Sequence, residues 1–518
     1  MTRTTRTTRT TRGTRDRRLL GAGSVLAAAV ALAVTAAPAQ ADPALRGTVR
    51  ISTGVNGAAP DDQSWSQGVS ADGRYALFTS WAKNLVPQPT VGGRDAYLRD
   101  LRTGRTERVN LSDSGEALNG WTDQAAINAD GRYVAFESNA DNVVPGMQVK
   151  GRTEVYLRDR RTGRTELVSG GLTATDTDQF HASYAPQISA DGRYVVYVSS
   201  RTDLDPTVVD PAPGAGAGAG AGAAPGAAPS LARPYTWKIN VYLTDRRTHT
   251  TRLISRDTAG KPGESTSFRP TISANGRTIG FGSLSELLPT GPTPAPAAPT
   301  APTARAAAPE LALARPTSAV YYTWNAASGK LTPASYDVDG KVADADFDAT
   351  VSPDGRYAVY SLPEPGGSTG GHRYHTVLHV RDLRTGAVRT VSGGLPGTTS
   401  VGSSGHGSIT ADNRWLYFDS AADNLVPGPQ HPGWDVYRQD LRTGRTERVT
   451  TAPDGSAGNG SSNAPFVSAA GNTLVFESTS GNLVAGTDAP AAEGSQAFAR
   501  PTGSRSDDGD DQGEDQDD

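Results

Sequence analysis

The sequence predicts an all-β fold: a seven-bladed β-propeller of four-stranded antiparallel blades, closed by the N-terminal strand pairing into the last blade. Three observations predict it. The 518 residues include 59 Gly and 35 Pro with only 36% hydrophobic residues, a turn-rich composition suited to short strands rather than helical bundles. A hairpin motif, a hydrophobic residue followed by Ser/Asn-Ala-Asp-Gly-Arg or a close variant, recurs at Asp72, Asp130, Asp191, Asn275 and Asp354, with weaker copies at Asp412 and Ala470. The third observation lies at the ends, where Thr48–Thr53 resembles a fourth strand that precedes the first full copy and Gln496–Arg500 resembles a third strand with no fourth after it. Joining them leaves no open blade edge.

Taken in chain order, residues 1–41 read as a signal peptide. Seven arginines precede the apolar run Leu19–Ala37, and Ala39-Gln40-Ala41 supplies a small-x-small cleavage site near Ala41. Arg17-Arg18 leaves both the general and the twin-arginine export routes open. No Cys is present, which excludes disulfides, thiolate metal sites and a lipidated N-terminus. The propeller is expected over 42–504. In the second repeat the strands are read as Gln124–Asn128, Tyr133–Ser138, Glu154–Asp159 and Thr165–Val168, from period-two alternation between two turn motifs. The Asp-Gly of the first turn and the Gly of Asp-x-Arg-Thr-Gly in the second suit left-handed backbone. Repeat spacings of 58, 61, 84, 79, 58 and 58 residues place loop insertions at 205–234 and 289–317. Both lack apolar periodicity, as does the acidic tail 505–518, which is expected to be disordered. The column Val69, Ile127, Ile188, Ile272, Val351, Ile409 and Val467 reads as the packed face of the innermost strands.

The segments Ile188–Val195 (ISADGRYV), Ala422–Pro427 (ADNLVP) and Asp435–Thr446, with its Asp-Val-Tyr and Asp-Leu-Arg-Thr-Gly-Arg-Thr, resemble TolB-like, WD-like propeller repeats of secreted actinobacterial proteins. The resemblance covers nearly all of residues 45–500 and implies the propeller fold.

Topology gives the propeller two unlike ends. The tight turns carry Arg74, Arg132, Arg193, Arg277, Arg356 and Arg414 beside the acids that finish the third strands, a pattern expected to form ion pairs rather than an anion-binding ring. The longer connections emerge at the opposite end, where binding on a rigid scaffold usually resides. There Ser64, Thr122, Ser183, Ser267, Ser404 and Ser462 share one register with Asp346 and are read as structural. The next column contains Trp65, Asp123, Tyr184, Phe268 and Phe347; with Asp346 these are the candidate ligand-binding residues, able to stack on sugar rings or hold a peptide.

Catalytic signatures are weak. Gly366–Gly370 matches nucleophile-elbow spacing without a following helix. His375 and His379 are too far apart on a strand to share a metal, and His379 takes the register of Tyr97, Tyr156, Tyr242 and Tyr437. Asp344, Asp346 and Asp348 alternate like a calcium loop, but Ala349 and Gly355 stand where Gly and Glu are required. No cofactor, nucleic-acid surface or membrane span in the mature chain is predicted. The expected protein is a secreted monomer and not an enzyme: a binding or scaffold propeller that recognises a protein or glycan of the cell envelope. The alternative is a metal-dependent lyase, resembling propeller lyases that cleave oligouronides, with His181, His406 and His431 converging on one metal.

Overall fold

The structure is a computed structural model that describes residues 47–146, 151–170, 181–208, 238–288, 319–346, 348–365, 374–399, 402–428, 433–485 and 494–503. The expected leader 1–41, the insertion 289–317, most of the insertion 205–234 and the tail 505–518 lie outside them. No helix among the described residues is long and apolar enough to cross a membrane.

Seven four-stranded antiparallel sheets form the propeller. In blade 1 the strands Ser64–Val69, Tyr75–Ser80, Asp95–Asp100 and Arg105–Arg108 follow one another outward from the channel. Blades 2 to 6 repeat this order, their innermost strands beginning at Ala125, Ser183, Ser267, Thr350 and Ser404. Blade 7 takes Ser462–Val467, Thr473–Ser478 and Gln496–Pro501 from the C-terminal side and Val49–Arg50 as its fourth strand. Val49 pairs with Ala499 and Arg50 with Phe498.

Closure reproduces a contact of the ordinary blades. Just beyond the fourth strand a polar side chain receives an amide of the third strand, as Ser169 does from Val155 and Ser255 from Val241, both at 3.0 Å. Ser52 does the same for Ala497 at 3.3 Å and donates to Gln496 at 2.8 Å. The N-terminal segment therefore fits blade 7 as a native fourth strand would.

The turns carry the repeat. Gly131 has φ 71°, and a Cβ there would stand 2.5 Å from the Tyr75 ring of the preceding blade. Glycine is required twice over, for the left-handed turn and for the close approach. Neighbouring turns are joined around the ring by backbone bonds such as Ala71 N–H to Ala129 O and Ala470 N–H to Ala71 O, each 2.9 Å. Where the Gly of the outer turn is replaced, His249 adopts φ 53°.

Each blade buries a stacked ring pair between its second and third strands. Phe78–Tyr97, Phe136–Tyr156, Tyr197–Tyr242, Phe281–Tyr322, Tyr360–His379, Phe418–Tyr437 and Phe476–Phe498 have centroids 5.6–6.1 Å apart. Such a pair contributes about 0.5–1.5 kcal/mol beyond its burial. His379 is one of these rings, the packing role its register suggests. Ile188, Val351, Ile409 and Val467 are buried, whereas Val69, Ile127 and Ile272 are partly buried against the same apolar clusters.

At the tight-turn end the arginines pair within their own blades. Arg74–Asp100, Arg132–Asp159, Arg193–Asp245, Arg356–Asp382 and Arg414–Asp440 lie at 2.6–3.2 Å. Arg277 stands opposite a third strand that ends in Asn325 rather than an acid.

Candidate functional site

The innermost strands contain a device that period-two alternation does not show. In blades 3, 4, 6 and 7 their third residues, Ala185, Arg269, His406 and Ala464, take φ between 45° and 54°. The pairing with the second strand slips at the same place. A bulge with one residue in left-handed backbone re-aims the side chains that follow it. These four residues, with Ser66, Gln124 and Asp348 of the same column, line one cavity of about 580 Å³ in the channel. For the non-glycine residues this conformation costs of order 1 kcal/mol or more, and such strain gathers at functional sites.

Buried acids hold three of the seven third-column residues. On the second strand of blade 2, the Glu137 carboxylate accepts the Ala185 amide of blade 3 at 2.7 Å. Asp419 of blade 6 accepts the Ala464 amide of blade 7 at 2.9 Å. Glu477 of blade 7 accepts the Ser66 amide of blade 1. Burial outweighs these hydrogen bonds for the two glutamates and pushes each up to about 7.

A chain of charges crosses blades 4, 5 and 6. The Arg269 guanidinium contacts Asp348 Oδ1. Asp348 Oδ2 lies 3.4 Å from His406 Nε2, and His406 Nδ1 lies 2.8 Å from Asp419 Oδ2. Burial by itself would lower the imidazolium, but the charge and hydrogen bond of Asp419, with Asp348, push it up to about 9. His406 Nδ1 is hydrogen-bonded to Asp419, and Nε2 faces Asp348 as an ion-pair partner. Asp419 Oδ1 is buried without a hydrogen-bond partner.

On the blade 1 and 2 side the wall is aromatic. The Arg94 guanidinium lies 3.9 Å over the Trp65 ring and 5.5 Å from the centroid of Trp81, and is anchored 3.2 Å from Asp123. Trp81 and Trp121 beside it are 40% and 44% exposed, unusual for so large a ring. A Cβ at Gly93 would come within 2.7 Å of the Trp81 ring and 3.4 Å of the Trp121 Cβ, so Gly93 packs closely on the Trp81 indole.

Of the sequence-predicted site residues, Trp65 and Asp123 are brought together in the cavity wall through Arg94. Tyr184 packs against the apolar cluster of blades 3 and 4, and burial pushes its phenol up to about 12. The Phe268 ring covers Gly282, where a Cβ would meet it at 2.3 Å. Asp346 bonds through its amide to Ser361 O at 2.8 Å, and Phe347 lies outside the described residues. So do His431 and the Gly366–Gly370 segment. His181 precedes the first strand of blade 3 and is not among the residues lining the cavity with His406. Among the described residues, no group of three or more His, Asp or Glu is placed to hold a metal ion. The Ser column is structural: Ser64–Ser80, Ser183–Ser199, Ser267–Ser283, Ser404–Ser420 and Ser462–Ser478 pair at 2.8–2.9 Å across the first two strands.

Sequence reasoning missed Arg269, Glu137, Asp419 and Glu477, and it weighed Asp348 and His406 only as metal ligands. Two signals mark them. Pro186, Pro270 and Pro465 interrupt innermost strands directly after the third position, and proline in a strand marks a bulge or an edge. Acids stand within otherwise apolar second strands, as in Phe136-Glu137-Ser138, Phe418-Asp419-Ser420 and Phe476-Glu477-Ser478, where a charge needs a buried partner.

No family model matches the chain, and no curated protein sequence matches it. Solved structures share its propeller fold. Oligogalacturonate lyase from Vibrio parahaemolyticus matches with a TM-score of 0.47 at 11% identity, over 89% of this chain and 95% of that one. TolB from Acinetobacter baumannii matches with 0.32 at 13%, over 84% and 81%. Acylaminoacyl peptidase from Pyrococcus horikoshii matches with 0.42 at 11%, over 80% of this chain and 49% of that one, so the chain spans about half the peptidase's length. One expectation is corrected here. The sequence reading expected a protein that is not an enzyme, with a lyase as the alternative; a lyase and a peptidase are among the similar structures, and that expectation is withdrawn.

Proposed function

We propose that the protein binds a saccharide at the loop-end mouth of its channel, outside the cytoplasm. The observation that carries this reading is the wall of Trp65, Trp81 and Trp121 with Arg94 stacked over Trp65 and anchored by Asp123. Indole faces stack on the apolar faces of pyranose rings, and planar charged groups hydrogen-bond to their hydroxyls. The adjoining cavity supplies both donors and acceptors, including Gln67, Gln124, Gln187, Thr271 and Thr350. An envelope glycan suits the leader-like segment 1–41 and the resemblance of the repeats to those of secreted proteins. The test is a glycan array followed by calorimetry on the best oligosaccharide, with product analysis in the same mixture to detect turnover. Trp81→Ala with Trp121→Ala should weaken binding about tenfold or more while leaving the melting temperature unchanged, because both rings are exposed. Undiminished affinity in the double variant would overturn the reading.

A further inference from the structure

At the tight-turn end, away from the channel cavity, the space between blades 4 and 5 departs from the repeat, and what it implies is independent of the saccharide reading. Between blades 1 and 2 the corresponding space is filled from within. Arg160 of blade 2 lies 4.6 Å over the Tyr75 ring of blade 1 and bonds to Glu107 at 2.7 Å. Arg246 repeats this between blades 2 and 3, 4.5 Å over Tyr133 and 2.7 Å from Glu166. Between blades 4 and 5 all three members of this plug are replaced, Tyr75 by Thr278, Glu107 by Thr332 and Arg160 by Leu383. Thr323 stands where blades 1 to 3 carry Leu98, Leu157 and Leu243. A crevice of about 500 Å³ opens there, lined by these residues with Asn325 and Lys330 of blade 4 and the Asp354-Gly355 turn of blade 5. Thr278 pairs with Asn325 and Gly280 with Thr323, which pairs in turn with Thr332. Period-two alternation therefore puts the three threonines on one face of blade 4, the face against which Gly355 is packed so closely that a Cβ there would stand 2.5 Å from Thr278 Oγ1.

None of the three threonine hydroxyls bonds to another described residue, and none is sealed from solvent, so all are free for what enters the crevice. Its charge is positive. Lys330 and Arg384 line it, exposed and without an ion-pair partner among the described residues. Arg356 is bonded to Asp382 at 2.7 Å. The acid of the lining, Asp354, is engaged elsewhere: Oδ1 accepts Ser352 Oγ and the Arg356 amide, and Oδ2 accepts Asn413 Nδ2 of blade 6. Arg277, next to Thr278, is the turn arginine whose acid is missing, because the third strand ends in Asn325. We propose that the crevice between blades 4 and 5 binds a tetrahedral oxyanion, a phosphate or sulfate group. Lysine offers such a group a point charge and arginine a planar fork. Hydroxyls from the second, third and fourth strands of blade 4 supply further donors. A cation is not favoured, since the aspartate and glutamate that accompany a guanidinium in the plugged interfaces are both absent here.

Sodium phosphate and sodium sulfate are titrated into the full chain by calorimetry, at an ionic strength held constant with sodium chloride. The decisive variant is Asn325→Asp, which keeps the side-chain shape and restores the acid that Asp100, Asp159 and Asp245 supply in the same register. It should weaken oxyanion binding about tenfold or more without lowering the melting temperature, because it gives Arg277 the partner of the other blades. Lys330→Ala with Arg384→Ala, both at exposed positions, should weaken binding to the same extent, again at an unchanged melting temperature. Methyl phosphate and dimethyl phosphate then separate the sources. Tighter binding of phosphate or the monoester upholds the site as one for a free or terminal group, and tighter binding of the diester upholds it as one for a phosphate-linked polymer. The absence of saturable binding by phosphate and sulfate, or an affinity unchanged in either variant, overturns the site and leaves the saccharide reading standing.

Discussion

The two ends of the propeller treat charge in opposite ways. At the tight-turn end the same Arg–Asp pair recurs in five blades. Its carboxylates are held below the usual range: at Asp159 and Asp245 the arginine bond leads, while at Asp100, Asp382 and Asp440 burial opposes but is outweighed by arginine and backbone amides. In the channel the blades diverge, and only blades 3 and 7 share a third residue, Ala185 and Ala464. Arg269, Asp348 and His406 occupy one register in successive blades, and buried acids hold other members of that register, Glu137 at Ala185, Asp419 at Ala464 and Glu477 at Ser66. Identical repetition is what stacking blades requires, whereas departures from the repeat do nothing for symmetry. The channel departures coincide with the cavity beside which ligand binding is proposed.

The comparison breaks most sharply at Asp419. Removing it by Asp419→Ala strands a His406 imidazolium and the Ala464 amide, which should destabilise the fold by about 3–5 kcal/mol. Asp100→Ala, the same truncation at the tight-turn end, should cost well under half of that, because its partner Arg74 is one-third exposed. Urea denaturation of both variants is the measurement. Equal losses would show that the channel acids are ordinary repeat elements.

A matched pair of glycine substitutions comes next. Gly131→Ala forces a left-handed alanine against the Tyr75 ring, with a Cβ contact of 2.5 Å, and should cost about 2–3 kcal/mol. Gly405→Ala meets nothing closer than 3.5 Å and should change stability by less than about 0.5 kcal/mol. Thermal melts of the two variants test whether the room left for the added methyl decides the cost.

The blade count, the tight turns and the closure were legible because each rests on a local signal. Asp130-Gly131 needs only its own backbone preference to form a turn, and Tyr133–Ser138 declares its faces by alternation. The channel wall was not legible to that extent. The bulge at Ala185, Arg269, His406 and Ala464 changes the parity of the strand after the second residue, and a parity change exchanges the two faces. Trp65 and Asp123 were found because blades 1 and 2 present their second residues to the cavity. In blades 3 to 7 the third residue lines it instead, held in blades 3 and 7 by an acid from the neighbouring blade some 45 residues earlier, a pairing that no single strand's pattern reveals.

Acid and base should separate the two ends in solution. Glu137 binds its proton more tightly folded, at about 7, than unfolded, at about 4.5. Its contribution is fully present below pH 4.5 and is lost as pH rises through 7. His406, raised from 6.5 to about 9, contributes below pH 6.5 and loses that contribution as pH rises through 9. The tight-turn aspartates have lowered folded values, so theirs is present above about pH 4 and lost on acidification. Glu137→Gln keeps an acceptor for the Ala185 amide and should retain about 3 kcal/mol more stability than wild type at pH 8 relative to pH 4.5. Parallel pH–stability curves for the two proteins would mean that Glu137 is not protonated in the fold.

The smallest effect lies among the turn arginines themselves. Arg74→Met removes a bidentate partner of Asp100, with bonds of 3.3 Å and 2.8 Å, and should cost about 0.5–1 kcal/mol at low salt, shrinking as salt screens the pair. Arg277 occupies the same register but faces Asn325, so Arg277→Met should change stability by less than about 0.5 kcal/mol at any salt. If the two substitutions cost the same and respond alike to sodium chloride, the arginines act through the stems that pack along the turns rather than through their charges, and the pairing seen at this end would be a consequence of the packing.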